Sequence, residues 1–333
     1  MRTKAVYVLI CTEQAIYAEQ AWCSIWSLKH FTPEAKVTIV TDKPTLANLQ
    51  QGYRKEMMRL VDEVVTVEFD DDANNVYRSR WIKTNLRSLI HGDFVFIDTD
   101  TIITASIADI DNCQHDVAMV LDLHCPLTSH PHQRVLVERQ RKVFGYKYDI
   151  QKAPNYYNSG VIYSKDTPRA HHFFENWHEA WKQSYQKSGL FIDQLPLVKA
   201  LYDNPNSVGE LNGVYNCQIL CSLQYFNQAK IIHFFNSPWL GEPVSKFFTK
   251  EFYHGIQQAQ GLNEDYQQQI LSCKDSFTSP SFIIGPDAIQ QLSDANDFLN
   301  FEWLKLYHRL PFLRKISDGI AYIADYLKKH FRN

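Results

Sequence analysis

The chain has 333 residues, 45% of them apolar, enough to bury a substantial core, and its net charge of −3 excludes the basic composition of a nucleic-acid partner. Seven cysteines, at positions 11, 23, 113, 125, 217, 221 and 273, form no Cys-x-x-Cys pair, so they are no disulfide framework and fit a reducing cytosol. The apolar stretch from Ala5 to Cys11 is short and runs into Thr12-Glu13-Gln14 without a small-residue cleavage site, so neither a signal peptide nor a membrane span is expected.

Over the first hundred residues, apolar runs of strand length alternate with stretches of helical period, the pattern of βαβ units and a parallel sheet. Strands are expected over 6–11, 37–40 and 64–69, with helices over 15–29, 45–60 and 80–90 between and after them. A fourth strand runs through Phe94-Val95-Phe96-Ile97 into Asp98. Val117 to Leu121 reads as a strand ending in Asp122, and His124 to Lys147 as a loop, because Pro126 and Pro131 interrupt it. His124, His130, His132 and Cys125 fall in that loop with poorly defined geometry for zinc. Asn155 to Ser164 is a turn and strand, Pro168 opens a long helix holding Trp177 and Trp181, Asp193 starts a shorter helix, and Ile231 to Phe235 is the last core strand. With no internal repeat, one catalytic domain over 1–240 and a helical extension over 241–333 are expected.

The strongest signal is Asp98-Thr99-Asp100, two carboxylates that close an apolar strand. In an open α/β sheet ligands bind beyond the carboxyl ends of the strands, and oxygen ligands placed there favour Mg²⁺ or Mn²⁺ with phosphate completing the coordination. At the far end of the chain, residues 303–333 carry +5, leaving about −8 for the rest. Leu313, Ile316, Ile320, Ile323, Leu327 and Phe331 recur there at helical spacing, with Trp303, Tyr307, Tyr322 and Tyr326 among them. That is a basic amphipathic helix, suited either to an anionic membrane surface or to packing on its own domain or a partner subunit.

Three further segments follow the Asp pair: Tyr157-Asn158-Ser159-Gly160-Val161, Asp193-Gln194-Leu195-Pro196-Leu197 and Ile231-Ile232-His233-Phe234-Phe235. In order and spacing the set resembles the nucleotide-sugar glycosyltransferases of the GT-A fold, especially family 8, which includes glycogenin and bacterial lipopolysaccharide galactosyltransferases. The likeness spans roughly residues 5 to 240. It implies a Rossmann-like, mainly parallel sheet flanked by helices, with a C-terminal helical extension.

The resemblance also implies roles. Asp98, Asp100 and His233 would hold Mn²⁺, or Mg²⁺, with the imidazole tilting the choice toward Mn²⁺. Thr12 would offer a hydroxyl and Tyr17 a flat face to the nucleotide, while Lys83 or its rival Arg80 would send a cation to the phosphates. Asn158 and Ser159 would line the donor sugar. Asp193 would bind sugar hydroxyls and Gln194 would face the reacting carbon. The implied donor is a UDP-sugar, with glucose or galactose foremost, and the acceptor a glycan or a lipid-linked glycan in polysaccharide or lipopolysaccharide biosynthesis. Such a protein is expected in the cytoplasm, with its basic tail at the inner face of the membrane, and retention of configuration follows from family 8.

The chain departs from that family at His233-Phe234-Phe235-Asn236-Ser237-Pro238-Trp239. This run is two residues shorter than the family's, has Asn236 in place of Gly, and lacks the lysine that grips the diphosphate. Charge compensation would fall on Lys83, Arg80 or Lys246. Two other readings compete. A haloacid dehalogenase-like phosphatase also uses Asp-x-Asp, but on its first strand and with a later acidic pair that this chain lacks. The other is a non-catalytic protein that binds a sugar nucleotide.

Overall fold

The structure, a computed structural model, describes residues 1–70, 72–219, 224–234, 247, 249–275 and 310–330. Among the described residues ten strands form two sheets. The larger contains β1 (Lys4–Val8), β2 (Val37–Asp42), β3 (Glu63–Val67), β4 (Phe94–Ile97), β6 (Val117–Leu121), β7 (Tyr157–Ser164) and β8 (Gly209–Glu210), in the spatial order β3-β2-β1-β4-β7-β6-β8. The first four strands are parallel, and β7 runs antiparallel to both β4 and β6. The smaller sheet contains β5 (Thr101–Ile103), β9 (Cys217–Gln218) and β10 (Ile231–His233), in the order β5-β10-β9.

The sequence explains which strands are central. Strands covered on both faces read as continuous apolar runs, and β4 is buried at all four positions. By contrast, β3 sits at the edge, with Glu63 and Thr66 turned to solvent. The period-two alternation of β1 sends Ala5 and Tyr7 to one core with Trp22, Ile25 and Leu28, and Val6 and Val8 to the other with Phe96, Phe173 and Trp177.

Among the described residues the helices are α1 (Tyr17–Phe31), α2 (Lys43–Leu49), α3 (Lys55–Met58), α4 (Asn75–Thr84), α5 (Leu86–Leu89), α6 (Gln133–Phe144), α7 (Pro168–Ser188), α8 (Gln194–Asp203), α9 (Lys250–Gln258), α10 (Glu264–Leu271) and α11 (Pro311–His330). Local chemistry sets their limits. The Asp42 carboxylate accepts from Thr45 N–H at 2.9 Å, and Asn74 from Tyr77 N–H at 2.8 Å, so these side chains cap α2 and α4. The helix expected over 45–60 breaks because Gly52 takes φ +54°, and the one expected over 80–90 begins at Asn75 and turns at Asn85. Within the loop expected over 124–147 lies α6, which ends at Gly145 in the left-handed region. Its Leu136 and Val137 pack against a small core built on Leu127, Tyr148 and Tyr156.

The fourth apolar run divides at Asp98. Strand β4 stays in the large sheet and β5 crosses to the small one, where Thr101 pairs with His233. This division brings β10 to the Asp pair. The first compact unit runs over Met1–Thr278, past residue 240, because Phe252, Tyr253, Ile256 and Ile270 join the core around Trp22.

The second unit, Ser279–Asn333, is described through α11, which shows Phe312, Ile316, Ile320 and Ile323 exposed along one stripe. Trp303, Tyr307 and Phe331 of the expected amphipathic tail, and the run from Phe235 to Lys246, lie outside the described residues. Among the described residues no helix is long and apolar enough to cross a membrane.

Candidate active site

The site forms where β4 ends beside the small sheet. Asp98 and Asp100 lie in the turn between β4 and β5, and His233 closes β10. One ligand atom from each of these three residues lies within 4.8 Å of the others, the one such cluster of metal-ligating side chains among the described residues. The loop histidines near Cys125 make no comparable group. Instead His130 donates from Nε2 to Asp122 at 3.1 Å, and His124 contacts the Asn216 carbonyl.

A chain of hydrogen bonds fixes which nitrogen of His233 faces the carboxylates. The Gly160 N–H can only donate, and it does so to Asn158 Oδ1 at 2.9 Å, so the Asn158 amide nitrogen turns to Asp122 Oδ1 at 2.8 Å. Asn158 Oδ1 also accepts from Asn216 Nδ2 at 2.9 Å, which turns Asn216 Oδ1 toward His233 Nδ1 at 3.0 Å. Nδ1 therefore carries a hydrogen, and Nε2 faces Asp100 Oδ1 at 3.2 Å. A ligating histidine is oriented in this way by the group its other nitrogen binds, so the donor set fits a divalent cation of the Mn²⁺ or Mg²⁺ class.

Behind the Asp pair, Lys83 of α4 is buried and its Nζ lies 3.1 Å from Asp98 Oδ2 and 3.0 Å from Asp193 Oδ2. Arg80, one turn earlier, lies 3.5 Å from Asp193 Oδ1, and the Ser159 hydroxyl donates to Asp193 Oδ2 at 2.9 Å. Burial alone would raise the Asp193 pKa, but Lys83 and Arg80 outweigh it and hold the carboxyl well below the ordinary 3.8. Asp98 moves the other way: burial raises it, Lys83 opposes the rise, and Asp100 adds to it. Asp193 is therefore a fixed anion, whereas Asp98 gains from any further cation.

Asp193 is held at the start of α8 by the buried Trp177, whose indole N–H donates to its carbonyl at 2.9 Å. The Gln194 amide donates to Asp122 Oδ1 at 3.3 Å and to Tyr157 O at 3.4 Å. A cleft of about 200 Å³ is lined by Asp98, Thr99, Asp100, Arg80, Tyr17 and Gln20, among others. Tyr17 is half exposed at its wall. Thr12 does not share that cleft and lines a neighbouring hollow of about 300 Å³ with Asp42, Asn48 and Arg78. Asn158 and Ser159 are buried and reach the site through Asn216 and Asp193.

No protein-family model and no curated protein matches the sequence. Among solved structures, the chain is similar to the WbbM bifunctional glycosyltransferase in its apo form, with TM-score 0.52 and 16% identity over 80% of this chain and 50% of that one. The fold is of the GT-A type. The chain thus spans about half the length of WbbM. It is also similar to the galactosyltransferase LgtC, solved with donor and acceptor sugar analogues, with TM-score 0.48 and 11% identity over 80% of this chain and 100% of that one. Mouse xyloside xylosyltransferase 1 has TM-score 0.47 and 14% identity over 69% of this chain and 97% of that one.

Three participants were not singled out in the sequence: Asp122 as the partner of Gln194 and Asn158, Asn216 as the partner of His233, and Gln20 in the cleft. The end of an apolar strand at Asp122 was the available signal for the first. The other two had none, because each depends on a contact made far along the chain.

Proposed function

We propose that this chain is a metal-dependent glycosyltransferase of the family 8 kind, transferring a hexose from a nucleotide diphosphate sugar to a glycan or lipid-linked acceptor. UDP-glucose or UDP-galactose is the proposed donor, and retention the proposed outcome. The observation that carries this reading is the meeting of Asp98, Asp100 and His233 within 4.8 Å at the end of the central strand. That point opens on the cleft shared by Tyr17 and Arg80.

When bound by Asp98, Asp100 and His233, Mn²⁺ or Mg²⁺ would supply Lewis-acid stabilisation of the departing diphosphate. The protein's own groups do the rest. Tyr17 stacks on the base and Thr12 offers its hydroxyl to the nucleotide from the neighbouring hollow. Arg80 faces the phosphates, and Lys83 holds Asp98 and Asp193 in place. Asp193, kept anionic, accepts from sugar hydroxyls, and Gln194 lies beside the reacting carbon. The leaving phosphate takes the acceptor's proton. Asn158 and Ser159 keep His233 and Asp193 oriented.

Residues 1–240 would carry the chemistry and 241–333 an extension whose basic, apolar-striped α11 suits an anionic membrane surface at the cytoplasmic face. Deleting residues 303–333 should then reduce binding to anionic liposomes; unchanged binding rules the surface role out.

Thermal-shift measurements with UDP and UDP-sugars, with and without Mn²⁺, test the main reading, since a ligand of the native state raises its melting temperature. A metal-dependent shift together with donor hydrolysis, both lost in Asp98→Ala and Asp100→Ala, is the expected result. A shift without hydrolysis or transfer would favour the non-catalytic binder. Full activity in both variants removes the metal assignment.

A further inference from the structure

Gln20 is an anomaly on α1. It is only 1% exposed, yet its side-chain Nε2 has no hydrogen-bond partner among the described residues. A buried polar group left unpaired costs free energy, so folded chains keep few of them. The Tyr253 hydroxyl gives its own hydrogen to Phe247 O at 3.2 Å, and its oxygen receives a contact from the Gln20 amide that falls outside hydrogen-bond geometry. A primary amide has two N–H hydrogens, so even a weak contact with Tyr253 leaves one without an acceptor.

The surroundings identify what the amide lacks. Gln20 lines the same cleft as Tyr17, one helical turn before it, and as Asp98 and Asp100 across from the helix. Under the donor reading above, Tyr17 meets the base and the Asp pair meets the diphosphate. The group that joins base to diphosphate is the ribose, with two hydroxyls whose oxygens accept hydrogen bonds. A neutral amide suits those oxygens, and the phosphate charge already has Arg80 beside it in the cleft.

We infer that Gln20 is a binding residue for the donor, its Nε2 donating to a ribose hydroxyl, and that the empty donor is retained at a cost to the free protein. This rests on the nucleotide-sugar reading. The cost and the use are separable, because removing the amide should help the free fold and harm only the complex.

The test is calorimetric titration of the full-length protein with UDP, 2′-deoxy-UDP and 3′-deoxy-UDP in the presence of Mn²⁺, together with the melting temperature of the free protein. Wild type should bind UDP roughly five- to tenfold more tightly than one of the deoxy analogues, the range of one buried hydrogen bond. Gln20→Met, close in shape but without the donor, should lose that discrimination and bind UDP about as weakly as the deoxy analogue. Its free form should melt at or above the wild-type temperature. Gln20→Glu, which keeps the shape and presents acceptors, should show the same loss and serves if Gln20→Met does not fold.

Equal binding of all three nucleotides by wild type overturns the ribose contact without touching the donor reading. So does undiminished UDP binding by Gln20→Met. A free-state melting temperature several degrees lower with discrimination intact assigns Gln20 to the fold. No UDP binding by wild type overturns the donor reading, and this inference with it.

Discussion

The His233 ring fills the space that a side chain on Gly160 would need: a Cβ built there falls 2.2 Å from His233 Cε1 and 2.5 Å from Nδ1. The glycine of the Asn-Ser-Gly segment thus serves the candidate ligand from across the sheets. Gly160→Ala should push the imidazole off its bond to Asn216. Disturbing a partner that orients a metal ligand weakens metal affinity about 10- to 100-fold. Mn²⁺ titration with UDP present measures this, and the Asp98 and Asp100 side of the site should be unaffected. Wild-type Mn²⁺ affinity in a folded Gly160→Ala protein would show that His233 is not a ligand.

Lys83 holds two carboxylates that approach it from different elements, the β4 end and the start of α8. Removing one partner of a buried pair costs about 3–5 kcal/mol, because the remaining charge is stranded. Lys83→Met should lose stability on that order in urea unfolding. Adding Asp193→Asn should restore part of it, since one stranded anion is gone. Strictly additive losses in the double variant would show that the two side chains are not coupled.

His178 gives a pH dependence with a definite sign. It sits on α7 between Trp81 and Trp181, with Nδ1 2.9 Å from the Thr84 hydroxyl, and burial lowers its pKa from 6.5 to about 4. The native state therefore keeps the ring neutral while the unfolded chain takes up a proton. The stabilising contribution is complete above pH 6.5, declines as pH falls, and is lost near 4. Linkage puts it on the order of 2–3 kcal/mol. Since His178 braces the helix that carries Arg80 and Lys83, acid should loosen the site before the whole fold. His178→Gln should flatten the stability profile between pH 6.5 and 4, and an unchanged profile would locate the acid sensitivity elsewhere.

The parts of the site legible in the sequence were those fixed by short-range pattern. An apolar run that stops at Asp98 can be seen without knowing what lies beside it, and the same holds for Asp193 at a helix start. Roles that depend on distant contacts could not be seen. Nothing near Asn216 in the sequence marks it as the group that sets the His233 tautomer, because the chain of bonds runs through Asn158 and Gly160 on another sheet. Asn158 and Ser159 illustrate the same limit, for their bonds to Asn216 and Asp193 join residues far apart in the chain. In the loop read over 124–147, the two prolines masked a helix whose apolar positions, Leu136 and Val137, are few. The boundary expected at 240 follows a change in sequence pattern, and the packing of α9 and α10 on the core around Trp22 depends on contacts that pattern does not show.

Arg54 shows how a residue far from the Asp pair can control the loop that leads to Tyr17. Its side chain is buried against Glu19, with Nε 2.9 Å from Oε1. The remaining nitrogens donate to the Thr12, Glu13 and Ala15 carbonyls at 3.3, 3.0 and 3.0 Å and to Asn48 Oδ1 at 2.9 Å. Gln257 of α9 adds a bond to Glu19 Oε2 at 2.9 Å, so the segment between β1 and α1 is tied from two sides. A lysine keeps the charge but cannot span three carbonyls with one ammonium. Arg54→Lys should therefore leave the loop before Tyr17 less fixed and raise KM for the donor several-fold, with kcat at saturating donor close to wild type, because the Asp98 and Asp193 groups are untouched. A purely structural role would instead lower the melting temperature with KM unchanged, and a fall in kcat alone would place Arg54 in the chemical step.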